Sequence, residues 1–390
     1  MRRTGRPATV GAILCLAMSM LIGTACERSS PTSESTTGSA AISPAMQASL
    51  ATIADNYRTK CGSPGAAVGV RTSSGSTLFA ISGQFAPDVA LDRDSQFLAG
   101  SVTKLFVATI ALQLIAEHRL SLEDSVDRFL RGWPRGKQTT IAMLLGHRSG
   151  MGDFGNDFSK QQSALVLSNL NRDFTYDQVL AMVRAVPPVA RPGEEYHYSN
   201  ANYIVLGAIL QEITHRTLGA LIDARIIRPL HLNRTLYGPD DLHRANAITF
   251  HGLYDVFGTG TPIDIGGFPR DSALTVDPAG AGLFASLPDL LTFTADVFGS
   301  DDLLADQQRS ELAKFGSTIS SRDLLLDDRF RVEGHGGASP GAQTVVAFDR
   351  AHHTAVAVWC NRLDPGAEEL LPSVEAARQA FELVTPGGAH

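Results

Sequence analysis

Ser101 and Lys104 stand three residues apart in the stretch SVTK, and that spacing can do chemistry. A serine hydroxyl attacks a carbonyl only when a base takes its proton. At i and i+3 on a helix the two side chains share a face and meet. Gly100 lets the chain turn sharply ahead of Ser101, and the helical run LFVATIALQLIAEH behind would hold the pair in place. A lysine accepts a proton only when neutral, and apolar neighbours such as Leu105, Phe106 and Val107 favour the neutral form. A helix start also puts partial positive charge where an oxyanion would develop. The plainer reading is an N-capping serine followed by a solvated lysine. Against it, none of the other lysines (Lys60, Lys137, Lys160 and Lys314) has a serine three residues before it.

Two later stretches carry compatible chemistry. In RPGEEYHYSNANY, Tyr198 and Asn200 lie two apart at the entrance to a helical run, a spacing no other tyrosine shows. In EGHGGASPGAQTVVAF, His335-Gly336-Gly337 leads into a strand, and glycines there let a substrate lie against the strand edge and its N–H donors. Taken singly, the first is an ordinary turn with a helix cap and the second a surface histidine in a glycine-rich loop.

In this order SxxK, YxN and HxG resemble the serine β-lactamase and penicillin-binding D,D-peptidase superfamily, in its class C-like branch. The segment Leu144–Gly150, the Pro192-Gly193 pair before YHYSN, and Gly280-Ala281-Gly282 followed by Ser286-Leu287-Pro288-Asp289 resemble the same branch. The resemblance spans roughly residues 46–385. It implies an α/β fold in which an antiparallel β-sheet, built from both ends of the chain and flanked by helices, carries a largely helical insertion subdomain. It further implies that Ser101 is acylated and that Lys104 and Tyr198 relay protons. Asn200 would orient substrate and Lys104, and His335 would take the place of the lysine in the family's KTG. Gly337 would lie against the substrate, and the N–H groups of Ser101 and Ala338 would form an oxyanion hole. No metal or cofactor is implied, and no His/Cys cluster at metal spacing is present.

The chain departs from the pattern at HGG. Gly336 has no hydroxyl to hold a substrate carboxylate, and His335 is mostly neutral near pH 7 where a lysine would be charged. That tilts the expectation from an efficient β-lactamase toward a D,D-carboxypeptidase-like or esterase-like hydrolase. A catalytically silent, penicillin-binding-like lipoprotein serving as sensor or scaffold is the alternative. Arg148 also replaces a small polar residue usual in its segment.

The elements that must position these residues are readable in outline. Leu50, Ile53 and Tyr57 share one face of a helix in MQASLATIADNYRTKC, and PGAAVGVRTSSGSTLFAISG reads as a hairpin turning at Ser73-Ser74-Gly75. AQTVVAFDRAHHTAVAVWCN gives two Val-rich strands around a turn at Asp349–His353, and EAARQAFELV closes with a helix. Between them, Ser121 caps a short helix and YIVLGAILQEITHRTLGALI is one helical run. MGDFGNDFSKQQS and GFPRDSALTVD read as surface loops.

Composition sets the surroundings. With 390 residues, 44% of them hydrophobic, and a mean hydropathy of +0.01, the chain can bury a large core. Net charge is −7 and more negative still without Arg2, Arg3 and Arg6, which excludes nucleic acid as an expected partner. Residues 1–25 read as an export signal: three arginines, an apolar stretch from Val10 to Ile22, then Gly23-Thr24-Ala25. That stretch falls short of the ~20 residues a membrane span needs. Cys26 follows and opens a Ser/Thr-rich tether to residue 45, an arrangement resembling a bacterial lipoprotein signal with lipid on Cys26. Residues 46–385 would be the hydrolase domain and 386–390 a tail. The expected setting is the cell envelope, lipid-anchored on the outer face of the cytoplasmic membrane or else secreted. A small molecule or peptidoglycan stem is the expected substrate. Cys61 and Cys360 remain as two buried thiols or as a pair. The resemblance, which makes the first and last strands neighbours, implies a Cys61–Cys360 disulfide.

Overall fold

The computed structural model describes residues 43–152, 168–256, 259–319, 332–363 and 370–385. Its centre is a five-stranded antiparallel sheet of β1 (Gly65–Arg71), β2 (Thr77–Gly83), β3 (Val332–Ser339), β4 (Ala342–Asp349) and β5 (Thr354–Cys360), in the order β2-β1-β5-β4-β3. Chain ends therefore meet at its middle, with Ala66 opposite Cys360 and Arg71 opposite Ala355. β4 and β5 are buried along their whole length, which is why they read as unbroken apolar runs, whereas the edge strand β2 alternates exposed and buried positions. The hairpin turns where the Ser-Ser-Gly signal puts it, with Arg71 paired to Thr77.

Each sheet face packs on different helices. Alternate residues Ala66, Val68 and Val70 of β1 meet the two terminal helices, α1 (Pro44–Cys61) and α5 (Leu371–Val384), through Leu50, Ala54, Tyr57, Ala377 and Phe381. α1 starts on a Ser43 cap, has proline in its first turn and stops at Gly62 in the left-handed region. On the opposite face Ala67, Trp359 and Phe348 join the larger core with α2 (Thr103–Ala116), α3 (Asn200–Thr214) and α4 (Leu287–Gly299). Gly69 allows α4 to come close, since a Cβ there would lie 2.8 Å from Leu291 Cδ1. The antiparallel sheet, the helices on both faces and the helix-rich middle of the chain agree with the expected fold class.

Three boundaries differ from the sequence reading. YIVLGAILQEITHRTLGALI is not one helix: α3 ends at His215, whose φ of 53° leaves the helical region, and Thr217 caps a new helix at Leu218–Ile222. The short helix near Ser121 starts instead at Val126 behind Ser125, because Asp124 turns back to accept the Ser121 N–H. GFPRDSALTVD contains a helix at Asp271–Thr275 with Leu274 buried. Most of MGDFGNDFSKQQS, the export signal, Cys26 and the 386–390 tail lie outside the described residues.

Cys61 and Cys360 form a disulfide, as the resemblance implied. It ties the end of α1 to the end of β5 across 299 residues of sequence. Closing so long a loop removes much of the unfolded chain's freedom, so a Cys61→Ser/Cys360→Ser variant should lose about 2–4 kcal/mol in urea unfolding. Peptides bearing the two cysteines should also resist iodoacetamide until reductant is added.

Candidate active site

The turn that carries Ser101 is held from two sides. Phe97–Leu98 pairs with Leu283–Ala285 in a small second sheet, and the Ala99 N–H donates to Leu283 O at 2.8 Å. The chain then makes a 3-10 turn over Gly100–Val102 and enters α2. Thr103, the third residue of SVTK, locks this turn: its hydroxyl donates to Gly100 O at 2.8 Å and accepts the Leu283 N–H at 3.2 Å. On the other side lies edge strand β3. Gly100 has φ +55°, and a Cβ there would sit 2.8 Å from Ala338 N. A Cβ on Gly337 would lie 2.1 Å from Ala99 O and 3.3 Å from Ser101 N. Both glycines are required by this contact, which sets the Ser101 and Ala338 backbone side by side.

Lys104 is fully buried on the first turn of α2. Its Nζ donates to Ser101 Oγ at 3.0 Å and to Gly280 O at 3.1 Å, and lies 5.3 Å from the centre of the Tyr198 ring. The Tyr198 hydroxyl donates to Ser101 Oγ at 2.9 Å. Ser101 and Tyr198 stay partly exposed. Ser101 Oγ thus accepts from both neighbours at rest, and whichever of them gives up its own proton becomes the base for attack. SVTK and YxN, separated by almost a hundred residues, meet on one oxygen. Asn200 opens α3 and is half-buried, while Gly337 is buried and Ala338 exposed on β3.

His335, on β3, is near enough to Lys104 to feel its charge and is buried, at 2% exposure. Burial, reinforced by the charge of Lys104, pushes its imidazole down to about 3, so it is neutral at physiological pH. Beside it, a Cβ on Gly336 would lie 2.3 Å from Leu370 Cδ1, the tip of a flexible side chain. A threonine there fits only if Leu370 moves aside.

One residue of the site was not singled out from sequence. His147, in the Leu144–Gly150 segment, stacks on the Tyr198 ring with centroids 4.4 Å apart and planes 25° apart. Its Nδ1 accepts the Ser199 N–H at 3.2 Å and lies 3.2 Å from Asn202 Nδ2, whose amide oxygen in turn accepts from Ser149. These contacts put the imidazole proton on Nε2. Burial first, then the Lys104 charge, hold His147 well below the ordinary histidine range. The signal was there in Ser149 and Asn202, polar residues in apolar surroundings, but only the folded chain shows which ring they hold.

These two histidines make stability depend on pH. The unfolded chain protonates them near the ordinary value of about 6.5, whereas the native state keeps them neutral, so the stabilisation is complete above pH 6.5 and is lost as pH falls below it, toward about 3 in the case of His335. Each group should contribute a slope of up to about 1.4 kcal/mol per pH unit in that window. Urea unfolding from pH 7 to 4 should show it, and His335→Gln should flatten the curve.

Comparison with known proteins bears on the family and the fold. The beta-lactamase family model matches residues 50–380. The chain belongs to the beta-lactamase family. A protein of Escherichia coli (strain K12) bearing the name of a D-alanyl-D-alanine carboxypeptidase is 25% identical over 289 residues, covering 68% of this chain and 65% of its own length. The chain thus spans about two thirds of that relative. Among solved structures, the D-amino acid amidase of Ochrobactrum anthropi SV3 superposes with a TM-score of 0.71 at 18% identity, covering 87% of this chain and 98% of the amidase. The penicillin binding protein of Bacillus halodurans does so with a TM-score of 0.65 at 18% identity, over 86% of this chain and 100% of that one. Both show a shared fold.

Proposed function

We propose that this chain is a serine hydrolase that opens an amide or ester through an acyl-enzyme on Ser101, in the manner of a D,D-carboxypeptidase or an esterase. The observation that carries this reading is the convergence of Lys104 Nζ and the Tyr198 hydroxyl on Ser101 Oγ, at 3.0 and 2.9 Å. In acylation, Oγ bonds to the carbonyl carbon and its proton passes through the Lys104–Tyr198 pair to the leaving nitrogen or oxygen. The carbonyl electrons pass through an oxyanion and return as the bond to the leaving group breaks. Water then adds to the acyl carbon, giving a proton to the same pair, and Oγ leaves as the serine hydroxyl is restored. The N–H groups of Ser101 and Ala338, adjacent at the β3 edge, are the donors for the oxyanion. Asn200, at the mouth of α3, orients the acyl donor.

The relative named as a D-alanyl-D-alanine carboxypeptidase supports a peptide-stem substrate, and the amidase fold neighbour supports a small amide. The arginine-led apolar segment before Cys26 supports export with a lipid anchor; mass analysis of the mature N-terminus distinguishes a lipidated Cys26 from a plain secreted end. Stopped-flow hydrolysis of p-nitrophenyl acetate should show a burst of about one equivalent of p-nitrophenol, lost in Ser101→Ala. Absence of both burst and turnover, with acetyl-D-Ala-D-Ala also untouched, would return the chain to a silent binding protein.

A further inference from the structure

We infer that His147 is the positioning residue of Tyr198: it ties the chain on both sides of that tyrosine and stacks on its ring, which keeps the phenol on Ser101 Oγ. This deepens the acyl-enzyme reading above and rests on it. Tyr198 needs such a hold because of where it lies. Residues 196–199 run without helix or strand ahead of α3, so no regular hydrogen-bond ladder fixes their backbone. The hydroxyl must nevertheless stay within reach of Ser101 Oγ, 2.9 Å away.

Residue 147 supplies the hold from three atoms or groups at once. The helix Ile141–Leu145 ends just before it, and His147 takes a φ of 52°, a left-handed conformation that histidine adopts more readily than most side chains. Its backbone carbonyl accepts the His197 N–H at 2.8 Å, and its ring Nδ1 accepts the Ser199 N–H at 3.2 Å. The residues immediately before and after Tyr198 are therefore tied to one residue. Between these ties the imidazole lies on the Tyr198 ring, with centroids 4.4 Å apart. Burial and the Lys104 charge keep that imidazole neutral, so Nδ1 stays free to accept. The segment is itself anchored to the helix that Tyr198 leads into. Asn202 Nδ2 lies 3.2 Å from the same Nδ1, and the Tyr203 hydroxyl donates to Leu145 O at 3.2 Å. Misplacing a reacting group by 1 Å costs on the order of 10²-fold in rate, and the loss of both ring contacts releases Tyr198 by such an amount.

The test is a double-mutant cycle on the full chain, read as kcat/KM for p-nitrophenyl acetate, with circular dichroism and melting temperature to confirm that each variant is folded. His147→Ala should lower kcat/KM by about 10²-fold. In the Tyr198→Phe background the same change should cost less than about threefold, since a residue that acts through the phenol has nothing left to position. His147→Asn tolerates the left-handed backbone and offers an amide oxygen to the Ser199 N–H, so it should regain at least about tenfold over His147→Ala. Should His147→Ala not fold, the same cycle is run with His147→Asn, whose smaller loss should also vanish in Tyr198→Phe. Equal losses in the two backgrounds overturn the inference and make His147 a general support of the fold. His147→Ala within about threefold of the wild type overturns it too, as does a folded His147→Asn no better than His147→Ala. A wild type that takes no fluorophosphonate label would instead remove the acyl-enzyme reading on which the inference stands.

Discussion

Lys104→Met lowers the rate at which Ser101 is acylated by about 10³-fold, within the range that loss of a positioned proton-transfer group costs. The lysine is fully buried and makes two hydrogen bonds, one to the serine oxygen and one to Gly280 O. A solvated lysine of the helix-cap reading would show neither. Methionine keeps the unbranched, flexible shape and removes the charge and the donors, so the core around Phe106 and Leu105 stays filled. Removing the buried charge also removes its desolvation cost, which offsets the lost hydrogen bond to Gly280 O. The loss should therefore appear in the pseudo-first-order rate of fluorophosphonate labelling without a drop in melting temperature. A labelling rate within tenfold of wild type would show that Tyr198 suffices and that Lys104 is a structural residue.

Gly337→Ala should lower kcat/KM by about 10²–10³-fold, the loss typical of one oxyanion donor. The added Cβ would lie 2.1 Å from Ala99 O, a backbone atom pinned by the Ala99 bond to Leu283, so it cannot step aside like a side chain. Strand β3 and the Ser101 turn must separate, and the N–H groups of Ser101 and Ala338 separate with them. The rate per fluorophosphonate-reactive serine is the quantity to compare, since it excludes unfolded protein. An unchanged kcat/KM would mean that the Ala338 N–H takes no part in stabilising the oxyanion.

The candidate reacting groups could be picked out from the chain because the chemistry proposed for them is carried by residue type and spacing. SVTK places serine and lysine on neighbouring faces of one turn by helix geometry alone. The β1–β2 and β4–β5 hairpins announced themselves through apolar runs broken by polar turns, and the terminal helix α1 through its one buried face. Long-range meetings were legible only through the family resemblance. Nothing local says that Tyr198 reaches Ser101, which the packing of α2 against α3 in the larger core brings about, or that Cys61 reaches Cys360, which the sheet order brings about by placing both chain ends at its centre. His147 escaped because its part depends on a stack with a ring about fifty residues away and on a hydrogen bond from the Ser199 backbone. The break at His215 escaped because the apolar pattern runs on across it, while one residue in the left-handed region redirects the chain. At Gly336 the sequence shows a missing hydroxyl but not the neighbour that lies there, since Leu370 arrives from the other end of the chain.

The most direct measurement is the intact mass of the protein after incubation with a fluorophosphonate, beside Ser101→Ala and beside a parallel incubation with a penicillin. An acyl-enzyme hydrolase gains one fluorophosphonate adduct per chain, mapped to the peptide containing Ser101 and absent from Ser101→Ala. A penicillin adduct at the same serine would place the chain nearer the D,D-peptidases, and labelling by the fluorophosphonate alone nearer the esterases. No adduct from either reagent, in folded protein, would contradict a nucleophilic Ser101 and leave SVTK as the start of a buried helix.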